Sequence, residues 1–223
     1  IGAESAAVTP GPAVRLPGRE SDPTEMTLGS LNLYRFFDDV DDPGGADDGE
    51  VLSTAEYTAR LTKLRRYVVE VLRGPDVLAV QEVEHLAALQ DLAAEIAAAD
   101  PGLVYTAHLV EGNDYGGMDV GFLVADAVTG VTVTQLGAAE ILEPEGWLLH
   151  DRPPLLLEGA WQEGLTPAVS FAALAVHLRS LGGVDDPSDD FARRKRLQQA
   201  ESVAAMVQDL QSADPERPLL VVG

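Results

Sequence analysis

The stretch Asp76-Val77-Leu78-Ala79-Val80-Gln81-Glu82-Val83-Glu84 decides how the chain is read. Val77 to Val80 form an unbroken apolar run, the pattern of a strand buried on both faces. Gly74-Pro75 closes the helix before it. Directly after it, Leu86, Leu89, Leu92 and Ile96 resume a helical period on one face. Glu82 therefore falls where a central strand runs out, at the carboxyl edge where open α/β sheets keep their ligands. A carboxylate there is costly unless a cation or donor meets it. The competing reading is a Glu turned to solvent or capping the helix that begins near residue 85.

Outward from this stretch the chain alternates between strands and helices, which predicts an α/β fold. Upstream, Ser53 and Glu56 make a capping box for a helix running to about Arg73, with Tyr57, Leu61, Leu64, Val68, Val71 and Leu72 in period. Before that, residues 26–33 read as a strand ending in Asn32, whose amide can both accept and donate a hydrogen bond to a ligand; the alternative is a turn-capping Asn. Between them lie Asp38, Asp39, Asp41, Asp42, Asp47, Asp48 and Glu50 around Pro43-Gly44-Gly45, a solvated acidic loop with a structural calcium loop as the alternative. Residues 1–25, rich in Pro and Gly, read as a linker or arm, leaving 26–223 as the domain.

Downstream, a helix of about 85–99 ends at Asp100-Pro101, and Leu103–Leu109 reads as a strand. A glycine-rich loop from Glu111 to Asp119 then leads into the strand Val120–Val124. It is either a substrate-facing edge or a plain hairpin loop. A strand over 128–136 precedes a long irregular region reaching residue 165. Thr166–Leu178 reads as an apolar strand that breaks at His177, an imidazole placed for acid–base work or, alternatively, for the core. The last helix, about 188–212, opens with Arg193-Arg194-Lys195-Arg196, for which ion pairs with Asp185, Asp186, Asp189 and Asp190 are the simplest account. Leu219–Val222 is a final strand.

Composition narrows the chemistry. The 223 residues are 46% hydrophobic, enough for a real core in one domain. There is no cysteine, which excludes disulfides and thiolate metal sites and leaves oxygen and imidazole ligands suited to magnesium, manganese or calcium. No apolar run is long enough to be a transmembrane segment. A net charge of −22 argues against tight nonspecific nucleic-acid binding and fits a salt-adapted protein, a secreted protein or a GC-rich genome alike; for location, a secreted or extracellular setting is favoured over a cytoplasmic one.

Four segments, in order, resemble the endonuclease/exonuclease/phosphatase superfamily. They are "SLNLYRFFDD", "DVLAVQEVE", "YGGMDVGFLV" and "HLRS", and "RRKRLQQAE" is similar to the family's following helix. The resemblance implies a DNase-like two-sheet α/β sandwich flanked by helices, with its second half incomplete. It implies a metal site at Glu82 and Asn32 for Mg²⁺ or Mn²⁺, with Ca²⁺ as an alternative. It also implies catalytic roles for His177 and Asn32 and substrate contacts from Arg179, Asp119 and Tyr115. Val176 stands where family members often carry a polar residue. Pro218–Gly223 resembles the strand entering a Gly-Asp-x-Asn motif, so the resemblance implies that the remaining catalytic groups lie beyond Gly223 and that these 223 residues alone are inactive. The expected activity is metal-dependent hydrolysis of a phosphodiester in nucleic acid. The alternatives are a phosphatase or lipid phosphodiesterase, and a non-catalytic binding module on the same fold.

Overall fold

The computed structural model describes residues 17–18, 22–41 and 51–223. Most of the arm and the acidic positions Asp42, Asp47, Asp48 and Glu50 lie outside the described residues.

The apolar run becomes β2 (Val77–Val83), flanked in one four-stranded sheet by β1 (Leu28–Phe36) in parallel and by β4 (Asp119–Ala125) in antiparallel. β3 (Tyr105–Leu109) completes that sheet beyond β4. The second four-stranded sheet has the order β10 (Leu219–Val222), β9 (Val169–Ala175), β8 (Leu155–Trp161), β5 (Val128–Gln135). A short hairpin, β6 (Ile141–Leu142) with β7 (Trp147–Leu148), stands apart.

The reason for two sheets is visible in the alternation. Val77 and Ala79 of β2 point one way with Val120, Phe122 and Val124, and meet Leu155, Leu157, Phe171 and Ala173 of the second sheet. Leu78 and Val80 point the other way, onto Leu89, Leu92 and Ile96 of α2 (Leu86–Ala99), onto Tyr57 of α1 (Thr54–Arg66) and onto Val68 just past its end. On the far side, Leu156, Ala172 and Leu174 receive Val203, Val207 and Leu210 of α3 (Phe191–Ala213). The layers are helix, sheet, sheet, helix, as the resemblance implies.

Several expectations need correction. The region to residue 165 is not irregular throughout, because β8 runs through it at the centre of the second sheet. Pro153-Pro154 and Gly159 hide a strand whose pairing is set by β5 and β9 on either side. The helix from Ser53 has its capping box but changes to a π-helical turn over Tyr67–Val71, with Leu72 N–H donating to Tyr67 O, before Arg73 and Gly74 turn left-handed. Of the four cations opening α3, Arg194 pairs with one of the expected carboxylates, Asp190 at 2.6 Å. Arg193 instead donates to the carbonyls of Val184 and Asp186, Lys195 reaches Asp151, and Arg196 reaches Arg179 O. Asp38 is not solvated but buried.

Candidate functional site

Neither β1 nor β2 ends smoothly. The pairing of β1 with β2 slips between Asn32 and Phe36, and that of β2 with β4 slips between Gln81 and Val83. The second slip has the form of a β-bulge with Glu82 as the extra residue, and the first is a wider bulge-like irregularity. Such features re-aim side chains at sheet ends. The residues that absorb them, Tyr34 (φ 60°), Arg35 (φ 52°) and Glu82 (φ 61°), are non-glycine residues in the left-handed region. Each costs about 1–3 kcal/mol, and such strain persists only where the surroundings enforce it.

Hydrogen bonds do the enforcing. Asn32 Nδ2 donates to Glu82 Oε1 at 2.8 Å, and Tyr34 N–H donates to Asn32 Oδ1 at 2.7 Å. Arg35 N–H donates to Glu82 Oε2 at 3.0 Å. The bulges thus turn an amide and a carboxylate from neighbouring strands toward one another.

The second sheet supplies the histidine. His177 follows β9, and its Nε2 lies 3.5 Å from Glu82 Oε1, so Asn32 and Glu82 come from one sheet and His177 from the other, meeting at a common end of the sandwich. They do not share a single sheet edge. Burial pulls the His177 pKa below its ordinary value, and nearby Arg152 adds to this; Glu82 and Asp114 oppose it. The ring is therefore neutral near pH 7.

The other expected residues spread around this centre. Arg179 lies two positions past His177 and lines with it a cleft of about 470 Å³ that also includes Ser180, Arg196 and Gly223. Its guanidinium sits 5.3 Å above the Phe191 ring, leaving the Nε atom buried without a hydrogen-bond partner. Asp119 is buried beneath the glycine-rich loop, accepting from Gly112 N–H at 2.7 Å. Burial raises its pKa to about 7 against the opposing effects of that bond and of Arg152. The loop tip Tyr115 is 86% exposed. The loop itself is the β3–β4 hairpin connection.

Two groups escaped the sequence reading. Arg152, almost buried, pairs with Asp114 of the glycine-rich loop at 2.8 Å and acts electrostatically on both His177 and Asp119. An arginine just ahead of Pro153-Pro154 and a leucine run was the available signal. The second group is Asp38, Glu84 and His85, whose ligand atoms lie within 4.8 Å of one another. Here the His85 Nδ1 accepts the Ala88 N–H as the cap of α2, so the neutral ring carries its proton on Nε2, 3.3 Å from Asp38 Oδ2. Glu84 Oε2 accepts the Asp38 N–H at 2.7 Å. That histidine has no lone pair left for a metal, and the cluster reads as a clasp between β1 and α2.

No family model and no curated protein matches the chain. Among solved structures, a β-hairpin deletion mutant of beta toxin from Staphylococcus aureus superposes with a TM-score of 0.50 at 15% identity, over 90% of this chain and 66% of the toxin. The chain has the endonuclease/exonuclease/phosphatase fold. Two further structures are similar at lower scores. An endonuclease/exonuclease/phosphatase protein from Beutenbergia cavernae matches at TM-score 0.47 and 20% identity, over 82% of this chain and 43% of that one. A truncated Caenorhabditis elegans TDP2 matches at TM-score 0.44 and 18% identity, over 81% of this chain and 57% of that one. The chain thus spans less than two thirds of each of these relatives in the endonuclease/exonuclease/phosphatase fold. Among its described residues, no helix is long and apolar enough to cross a membrane.

Proposed function

We propose that the chain carries part of the active site of a divalent-metal-dependent phosphoesterase, with a nucleic-acid phosphodiester as its substrate. The observation that carries this reading is the meeting of Asn32, Glu82 and His177 across two sheets, with strained backbone at Glu82 itself and at Tyr34 and Arg35 just past Asn32. Strain of that kind is kept where geometry matters more than stability.

The donor set suits a hard cation. Glu82 offers carboxylate oxygens that are each hydrogen-bonded once, and Asn32 offers an amide oxygen. Magnesium and manganese take one or two such carboxylates and keep waters in the remaining positions. When bound, the cation neutralises charge on the phosphoryl oxygens and the leaving alkoxide. Glu82 and Asn32 would hold it. His177, neutral near pH 7, offers one acceptor nitrogen and one N–H beside the same carboxylate, so it can take up a proton or steady a developing negative charge. Arg179 would meet a phosphate oxygen from the cleft wall. Asp119 and Tyr115 belong to the loop on the substrate side, Asp119 from beneath and Tyr115 at its exposed tip.

The test is titration with Mg²⁺ and Mn²⁺, followed by hydrolysis of bis-nitrophenyl phosphate and plasmid DNA by the longest natural form of the protein. We expect metal binding that depends on Glu82 and metal-dependent cleavage of DNA. Cleavage of the small diester but not of DNA would move the substrate to a small or lipid phosphodiester. Absence of any Glu82-dependent metal binding would leave a binding module on this fold.

A further inference from the structure

α3 is divided along its length. Its C-terminal half packs Val203, Val207 and Leu210 on the second sheet, as an amphipathic helix should. Its N-terminal half turns polar side chains inward on the same face: Lys195 at 3% exposure, Gln199 at 1%, and then Ser202. Burying such groups costs free energy unless every polar atom finds a partner, and an apolar residue would fill the same volume without that demand.

The partners explain the choice. Gln199 Nε2 donates to Leu149 O at 2.9 Å, and Gln199 Oε1 accepts from Arg179 N–H at 2.9 Å. One carboxamide therefore joins two separate loops. The first, residues 149–152, leads to Arg152, and the second carries His177 and Arg179. Lys195 fixes the first loop again through Asp151 at 2.7 Å. His150, 1% exposed, meets Ser202 Oγ at 3.0 Å. Asn113 ties the same loop to the glycine-rich hairpin through Asp151 O and His150 O.

We propose that Gln199 is a positioning residue that registers the Arg152 loop against the His177–Arg179 loop, holding Arg179 at the spacing a phosphate requires. The purpose assigned to this spacing rests on the phosphoesterase reading; the coupling of the two loops does not. A side chain that bridges two backbone segments fixes their separation to within hydrogen-bond tolerance, which hydrophobic packing alone does not do.

The test uses Gln199→Met, which keeps the volume and removes both bonds, and the gentler Gln199→Asn, whose amide is too short to bridge. Amide hydrogen exchange reads the loops without any need for activity. Both variants should speed exchange at Arg179 and across residues 149–152 by about tenfold or more. Val203→Ala, from the apolar half of the same helix, should lower Tm without that effect. In the longest natural form, the Gln199 variants should raise KM for a diester several-fold with kcat nearly unchanged. Faster exchange in one loop only, in neither, or equally in Val203→Ala overturns the proposal, and so does an unchanged KM. If no form of the protein cleaves a diester, the phosphoesterase reading fails, and the exchange results still decide whether Gln199 couples the loops.

Discussion

Two carboxylate–histidine clusters flank the end of β2, and they use nearly the same residue types. Glu82 meets His177 and Asn32; Glu84 meets His85 and Asp38. What separates them is where the hydrogen-bonding capacity goes. In the Glu84 cluster the imidazole caps a helix with one nitrogen and faces a carboxylate with the other, so the ring is committed to structure. In the Glu82 cluster the carboxylate is presented on a left-handed bulge, and the histidine arrives from the opposite sheet. Composition of a cluster says little about its role; the backbone beneath it says more.

The comparison breaks if the two carboxylates answer alike. Glu82→Gln should weaken Mg²⁺ or Mn²⁺ binding by at least about a hundredfold, since even outer partners of metal ligands are worth tenfold to a hundredfold. Glu84→Gln should leave the titration nearly unchanged and instead cost about 1–2 kcal/mol of stability through the Asp38 N–H. Coincident metal titrations for the two variants would mean the site is misassigned.

His177→Ala should lower turnover of the longest natural form by about a hundredfold or more with little change in KM. Because burial depresses its pKa, the acid limb of the rate profile should fall below the ordinary histidine value of 6.5. Stability from the neutral ring is likewise present above that value and lost as pH falls through the folded one. A variant with intact turnover and only a lower Tm would make His177 a structural residue, as His85 is.

Asp119 pairs opposite Val83, between the two clusters, and sharpens the contrast through pH. Burial raises its pKa to about 7, so the folded state holds a proton that the unfolded chain has released between about pH 4 and 7. Stability therefore declines as pH rises through that window. Asp119→Asn should be more stable than the parent at pH 8, by on the order of 3 kcal/mol, and should show no gain at pH 4. Chemical denaturation at the two pH values measures it; equal differences at both would rule out a buried, protonatable Asp119. The smallest effect belongs to His85→Ala, where losing the cap should cost about 1 kcal/mol in the same assay and leave metal affinity alone.

Much of the fold was legible because it rests on local patterns. The apolar run of β2, the capping box at Ser53 and the period of α2 each announce themselves within a few residues. β8 did not, because its leucines sit between a proline pair and a glycine, and its identity comes from neighbours distant in sequence. At the candidate site, Glu82, Asn32 and His177 could be placed at strand ends from the sequence, though not their contact. The bulges that turn Asn32 and Glu82 together leave no mark, since Tyr34, Arg35 and Glu82 are not residues that favour a positive φ. Arg152 and Gln199 stayed hidden because their meaning lies in backbone atoms of remote loops.

The contact between Glu82 and His177 has a mechanical consequence. Each side chain is fixed to its own sheet, and the gap between them is gauged by the side chains stacked in between, Phe122 and Phe171 among the largest. The two sheets behave like the jaws of a calliper whose tips are Glu82 and His177. Trimming a filler far from the tips, as in Phe122→Ala, should cost about 3–5 kcal/mol of stability and shift the gap between the tips. The Glu82–His177 spacing is thus sensitive to a loss of thickness at the middle of the sandwich, with no change to any polar atom.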